Sequence, residues 1–183
     1  MNLNNLDARN LGWYPASPTN YAVADRPDSN SISMVIIHIT QCSFASAINW
    51  FQNPAAKVSS HYIVRSSDGF IAQSVRDKDI AHHAGNRGYN QTSIGIEHEG
   101  YVADPASFTE AMYRSSATLT ASLAHKYGIL VARRHIIGHD EVPNPHEPGR
   151  YGGRSGHTDP GPNFDWEKYM NYIYTLLDRT PDP

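Results

Sequence analysis

Met34-Val35-Ile36-Ile37-His38-Ile39 organises the reading of this chain. The run is short, β-branched and bounded by polar residues, the pattern of a buried strand with one polar side chain set into it. Residues 43–51 follow with Phe44, Ala47, Ile48 and Phe51 at helical spacing, closed at Asn53-Pro54. Residues 61–65 and 70–74 flank the turn-forming cluster Ser66-Ser67-Asp68-Gly69, which predicts a hairpin. Residues 93–97, Ser-Ile-Gly-Ile-Glu, predict a further strand. Asp104-Pro105 then opens a long helix through Phe108, Met112, Leu119, Leu123 and Tyr127 that Gly128 stops. Asp165 caps a last helix through Trp166, Tyr169, Met170, Ile173 and Leu177. Between these helices lie the apolar run His135-Ile136-Ile137 and a Pro- and Gly-rich loop over 140–163. Strands interleaved with helices predict an α/β, mixed α+β class: one central, mostly mixed sheet flanked by helices. Residues 1–30, polar with Trp13, Tyr14 and Tyr21 as scattered rings, predict an arm packed on a single domain formed by 31–183.

With 183 residues the chain has the length of one domain and can bury roughly 70% of its unfolded surface, so folding requires no disulfide or structural metal. The net charge is −3 and no basic stripe is present, which argues against a nucleic-acid partner. No run approaches the roughly 20 apolar residues of a membrane helix, so no membrane partner is expected either. A single Cys42 leaves no intrachain disulfide and no Cys-rich zinc module. The first residues lack the basic and apolar regions of a secretory signal, leaving either an intracellular protein or a mature exported chain. Histidine stands out, with 10 copies, because it is the commonest metal ligand and the usual proton carrier near neutral pH.

His38 within its strand and His139 just past Ile136-Ile137-Gly138 both sit where a rigid element hands over to a loop, a common place for active-site groups. His146-Glu147-Pro148-Gly149-Arg150 has no second histidine and contains a proline, which removes the zincin reading; deaminase, nucleophile-elbow and phosphate-loop motifs are absent as well. Asp159, before Pro160, reads either as a turn residue or as a functional carboxylate. Glu97, on an apolar run, is costly to bury unless paired or used, or else shares a solvated face with Glu99. On the residues alone, a mononuclear metal hydrolase and a plain binding domain both stand.

Six blocks occur in order: Val35-Ile36-Ile37-His38, Ser59-Ser60-His61-Tyr62, His82-His83-Ala84-Gly85, residues 93–100, Gly138-His139 and Thr158-Asp159-Pro160-Gly161-Pro162. Over residues 31–174 the chain resembles zinc-dependent type 2 N-acetylmuramoyl-L-alanine amidases, which share their fold with peptidoglycan recognition proteins. The resemblance implies that fold, a peptidoglycan or muropeptide substrate, and cleavage of the amide joining N-acetylmuramic acid to L-alanine of the stem peptide. It implies one Zn2+ on His38, His139 and Asp159, Glu97 as general base, and His157, where many relatives carry lysine, as the group stabilising the oxyanion. A histidine there acts either protonated or as a neutral N–H donor, and the protonated form would make activity fall off sooner at high pH. His61, His83 and Asn86 are expected along the substrate groove, with a hydrogen bond to a zinc ligand an equal reading of His61. Ser60 replaces a tyrosine found in some relatives and takes no catalytic role. Cys42 is expected as a packed thiol, and the other histidines as surface or packing residues. Residues 144–156 make a longer link than the family's usual one and read as a tolerated insertion slightly before an extension of the groove wall. A non-cutting recognition module and a zinc peptidase acting within the stem peptide are the alternatives. A monomer is expected, acting outside the cell or in the cell wall as a bacteriolytic enzyme, or as a phage endolysin made in the host cytoplasm; Tyr14-Pro15-Ala16-Ser17 and Asp25-Arg26-Pro27 resemble secreted Gram-positive members.

Overall fold

The computed structural model describes residues 10–178, so the first nine residues of the expected arm lie outside it. The elements are β1 (Leu11–Trp13), β2 (Tyr21–Ala22), β3 (Met34–Ile39), α1 (Phe44–Gln52), β4 (Tyr62–Val64), β5 (Ile71–Gln73), β6 (Ile80–Ala81), α2 (Arg87–Thr92), β7 (Ser93–His98), α3 (Glu110–Tyr127), β8 (Ile136–Gly138) and α4 (Trp166–Leu176). Six strands form one sheet in the order β1-β5-β4-β7-β3-β8, and β2 pairs with β6 in a separate two-stranded ribbon. Only β4 and β5 pair antiparallel within the large sheet, as the expected hairpin; the other neighbours are parallel. The class is therefore mixed α/β with helices on both faces of a central mixed sheet.

Local chemistry explains the element ends. Ser43 accepts from Ser46 N–H to cap α1, Asp165 accepts from Lys168 N–H to cap α4, and Gly128 ends α3 in the left-handed region at φ 67°. Two expectations shift. Asp104-Pro105 opens only a 3-10 turn over Pro105–Ser107, and Thr109 is the cap from which α3 starts. Part of the expected arm is a strand: β1 lies parallel to β5 at the sheet edge, and no alternation over three residues could have announced it.

The period of two along the strands sorts side chains onto two faces. Val35, Ile37, Ile94 and Ile96 pack beneath α3 and α4, against Met112, Tyr113, Leu119, Tyr169 and Ile173. On that face His98 Nδ1–H donates to His38 O at 3.0 Å, and Nε2 accepts from Ser116 Oγ at 2.7 Å, with Tyr169 OH 2.9 Å from Ser116 Oγ and 2.7 Å from Thr120 Oγ1. The opposite face is shared by α1, packed on Ile63 and Ala72, and a smaller cluster of Ile36, Ala84, Ile137 and Val142.

Arg26 fastens the N-terminal segment to this face. The residue is 3% exposed, and its guanidinium donates to the carbonyls of Ser93 at 2.8 Å, Gln91 at 3.1 Å, Asp77 at 2.7 Å and Asp79 at 2.5 Å. Arg26→Met would leave several buried carbonyls without donors, and a loss on the order of 3 kcal/mol is expected in urea unfolding. The buried imidazoles set a pH slope as well. Burial, chiefly, lowers His98 to about 4, and burial with the Arg26 cation lowers His61 to about 3. The unfolded chain takes up these protons near pH ~6.5 while the folded one resists, so this stability is full above ~6.5 and declines as pH falls towards 4. The urea midpoint is expected to drop between about pH 6.5 and 5, less steeply in His98→Gln.

Candidate metal centre

Parallel register brings the candidate residues together. His38 pairs with Glu97 across β3 and β7, and Ile37 pairs with Gly138 across β3 and β8, so His139 emerges one step beyond the strand. All three stand at the carboxyl ends of adjacent parallel strands, where α/β sheets place their ligands. Asp159 arrives from the following loop. Asp140 N–H donates to its carbonyl at 2.8 Å, and Ile39 N–H to its Oδ2 at 3.3 Å.

His38 Nδ1 lies 3.1 Å from His139 Nδ1 and 3.3 Å from Asp159 Oδ2, and His139 Nδ1 lies 3.2 Å from Asp159 Oδ1. A tetrahedral ion with bonds of roughly 2.0–2.1 Å to nitrogen or oxygen has ligand-to-ligand edges of about 3.3 Å. The ring-to-ring spacing and each ring's distance to its own oxygen of the Asp159 carboxylate are close to that edge, and the three residues are buried and mutually within metal-binding reach. Burial, reinforced by His139, lowers His38 to about 4, which keeps the ring in the neutral form that coordinates metals. Burial opposes ionisation of Asp159, but the His139 and His38 rings set against it hold its carboxyl well below the usual range.

Glu97 stands beside this cluster. Its Oε2 is buried with no hydrogen-bond partner among the described residues. Burial first, and the Asp159 charge second, push its carboxyl well above the ordinary carboxylate value, the poise a proton-transferring group needs near neutral pH. The His157 ring stacks on His139, with centroids 4.5 Å apart at 17°, and its Nδ1 lies 3.9 Å from Asp159 Oδ1. Burial and His139 lower its pKa against the opposing pull of Asp159, favouring the neutral N–H donor over the cation.

These residues floor a groove of about 500 Å³. One wall was not anticipated: Trp50, 51% exposed, stands with Phe51 and Val58 on the α1 side. The signal was present, since Trp50 falls off the buried stripe of Phe44, Ala47, Ile48 and Phe51. Ser155 and Gly156, with His157, make another wall, so the end of the 144–156 link extends the groove wall, the alternative to a passive insertion. Arg154 N–H donates to Gly85 O at 3.0 Å and Gly153 N–H to Val142 O at 2.9 Å, docking the loop on the body. Cys42 also lines the groove, half-buried.

Two other expectations fail for identifiable reasons. His61 is 0% exposed: Gly95 N–H donates to its Nδ1 at 3.0 Å, and its Nε2 faces Asp79 O at 3.2 Å, so it neither lines the groove nor bonds a candidate ligand. Asn86 is the N-cap of α2, accepting from Gly88 N–H at 3.0 Å and donating to Pro143 O at 3.0 Å, and it is not among the groove residues. His83 does reach the groove, with its ring nitrogens 3.0 Å from His38 Nε2 and 3.2 Å from Ser93 Oγ. Glu99 is half-buried rather than on a fully solvated face: it accepts from Phe44 N–H and Ser66 N–H, both at 2.9 Å, tying α1 to the hairpin.

Comparison with known proteins agrees with this geometry. The sequence profile of the N-acetylmuramoyl-L-alanine amidase family matches residues 28–162. N-acetylmuramoyl-L-alanine amidase A of Achromobacter lyticus is 40% identical over 170 residues, covering 88% of this chain and 92% of that protein. Among solved structures, AmpDh3 of Pseudomonas aeruginosa in complex with anhydromuramic pentapeptide superposes with a TM-score of 0.61 at 20% identity, covering 77% of this chain and 59% of that one. A mutant endolysin from Bacillus subtilis gives 0.60 at 20% identity, covering 90% and 98%. The profile spans all six blocks and the relative covers most of the chain, and the chain belongs to the N-acetylmuramoyl-L-alanine amidase family.

Proposed function

We propose that this enzyme hydrolyses the amide between N-acetylmuramic acid and L-alanine of the peptidoglycan stem, using one zinc ion held by His38, His139 and Asp159. The observation that carries the reading is a pair of ring nitrogens 3.1 Å apart, each 3.2–3.3 Å from its own oxygen of the Asp159 carboxylate, beside an unpartnered buried Glu97 oxygen. Zinc in such a site would supply Lewis acidity towards the scissile carbonyl and acidify the attacking water. Glu97 Oε2 takes the water's proton and passes it to the amide nitrogen that leaves with L-alanine, which a carboxyl of raised pKa can both accept and release. The neutral His157 ring offers an N–H to the oxyanion of the tetrahedral stage. Trp50 and Val58 on one wall and Ser155 and Gly156 on the other orient the sugar and the stem between them. In this reading residues 31–183 are the catalytic domain with the N-terminal segment strapped onto it, and the protein acts as a monomer on cell-wall material, as a secreted enzyme or a phage endolysin.

Muropeptide digestion is expected to expose L-alanine amino termini, to stop on chelation and to return with one equivalent of zinc. A different new terminus would indicate a peptidase, and no release at full zinc occupancy a binding module. Glu97→Gln is expected to lower kcat by roughly 100- to 10,000-fold with zinc content unchanged. His157→Ala is expected to lower kcat by roughly tenfold or more while leaving the shape of the pH profile between about 7.5 and 9 intact, because a ring whose pKa is lowered below its ordinary value is largely uncharged there. A high-pH limb that disappears in this variant would restore the protonated role.

A further inference from the structure

The partners of His83 form a one-way chain. Tyr89 O can only accept, so Ser93 Oγ–H donates to it at 2.5 Å. That leaves the Ser93 oxygen as acceptor for His83 Nε2, 3.2 Å away, which therefore carries the ring's proton. His83 has no acidic partner among the described residues and stands buried as a neutral ring, so its Nδ1 is a bare acceptor facing His38 Nε2 at 3.0 Å. His38 Nε2 must then hold the proton, and the opposite nitrogen, Nδ1, is left bare towards His139 and Asp159. The backbone is shaped for this ring. A Cβ on Gly95 would stand 2.6 Å from His83 Nδ1 and 2.7 Å from Ser60 Oγ, and Gly95 is itself pinned by its N–H to His61 Nδ1.

We infer that His83, oriented by Ser93, is a positioning residue that sets the tautomer of His38 and so presents Nδ1 of that ring to the metal. Metal-binding histidines commonly give their second N–H to a carboxylate or a carbonyl; here a second imidazole takes that place and relays the preference of a backbone carbonyl through three hydrogen bonds. The role rests on the proposed zinc site, and it gives His83 a task other than lining the groove.

Long-range proton–nitrogen correlation on the full chain, metal-stripped, is expected to show His38 protonated at Nε2. His83→Leu removes the acceptor while filling the space, and is expected to mix the His38 tautomers and weaken zinc binding, measured by chelator competition, by roughly 10- to 100-fold. His83→Asn, whose Oδ1 can stand where Nδ1 stood, is expected to recover most of that affinity, a rescue that a purely packing role would not give. A His38 protonated at Nδ1 in the wild-type chain, or zinc affinity within about twofold in a folded His83→Leu, would overturn the inference. If wild type binds zinc and releases stem peptide while His83→Leu is unchanged, only the positioning role falls. If wild type binds no zinc, the metal reading falls, and the tautomer in the stripped chain still decides the relay.

Discussion

Parallel pairing of β3 with β7 on one side and β8 on the other forces the carboxyl ends of three strands to a single edge. His38, Glu97 and His139 meet there because each is placed at or just past the end of its strand. The same register fixes which face each side chain takes. A slip of one residue would turn His38 under α3 and bring Ile37 to the groove, so the apolar pattern that buries Val35 and Ile37 also aims the histidine. Core packing and site geometry are therefore one constraint, imposed by one alternation.

Polar groups are threaded through that core in two hydrogen-bonded networks. On one face, Thr120, Tyr169 and Ser116 lead to His98 and then to the His38 carbonyl. On the other, Arg26 gathers carbonyls from residues 77–79 and 90–93 into a single cluster. Such networks are expensive to leave half-made and rigid when complete. Both converge on the strand segments beneath the site, which holds the candidate ligands to a narrow set of positions.

Much of this was legible in the residues. The β3 run, the α1 stripe, the Ser66 to Gly69 turn and the Asp165 cap each carry a local signal strong enough to place an element. The start of α3 was not, because Asp104 and Thr109 are both good caps and each accepts a backbone N–H in the structure. Strands as short as β1 and β2 are defined by their partners, not by their own pattern. At the site, His38 and His139 are 101 residues apart, so spacing could not join them, and family resemblance supplied the set. It could not separate His61 from His83: that difference depends on Arg26 and Gly95, from two distant segments, claiming the first ring and leaving the second free to face His38.

The docked loop over 144–156 has a consequence for how tightly substrate is held. A free segment of that length would lose its conformational freedom each time a muropeptide entered, and the ordering cost would be subtracted from every binding event. Its hydrogen bonds to Gly85 and Val142, together with the grip of Asn86 on Pro143, meet that cost once, during folding. The groove is thus bounded on both sides before substrate arrives, and association is expected to resemble entry into a preformed slot more than closure of a lid.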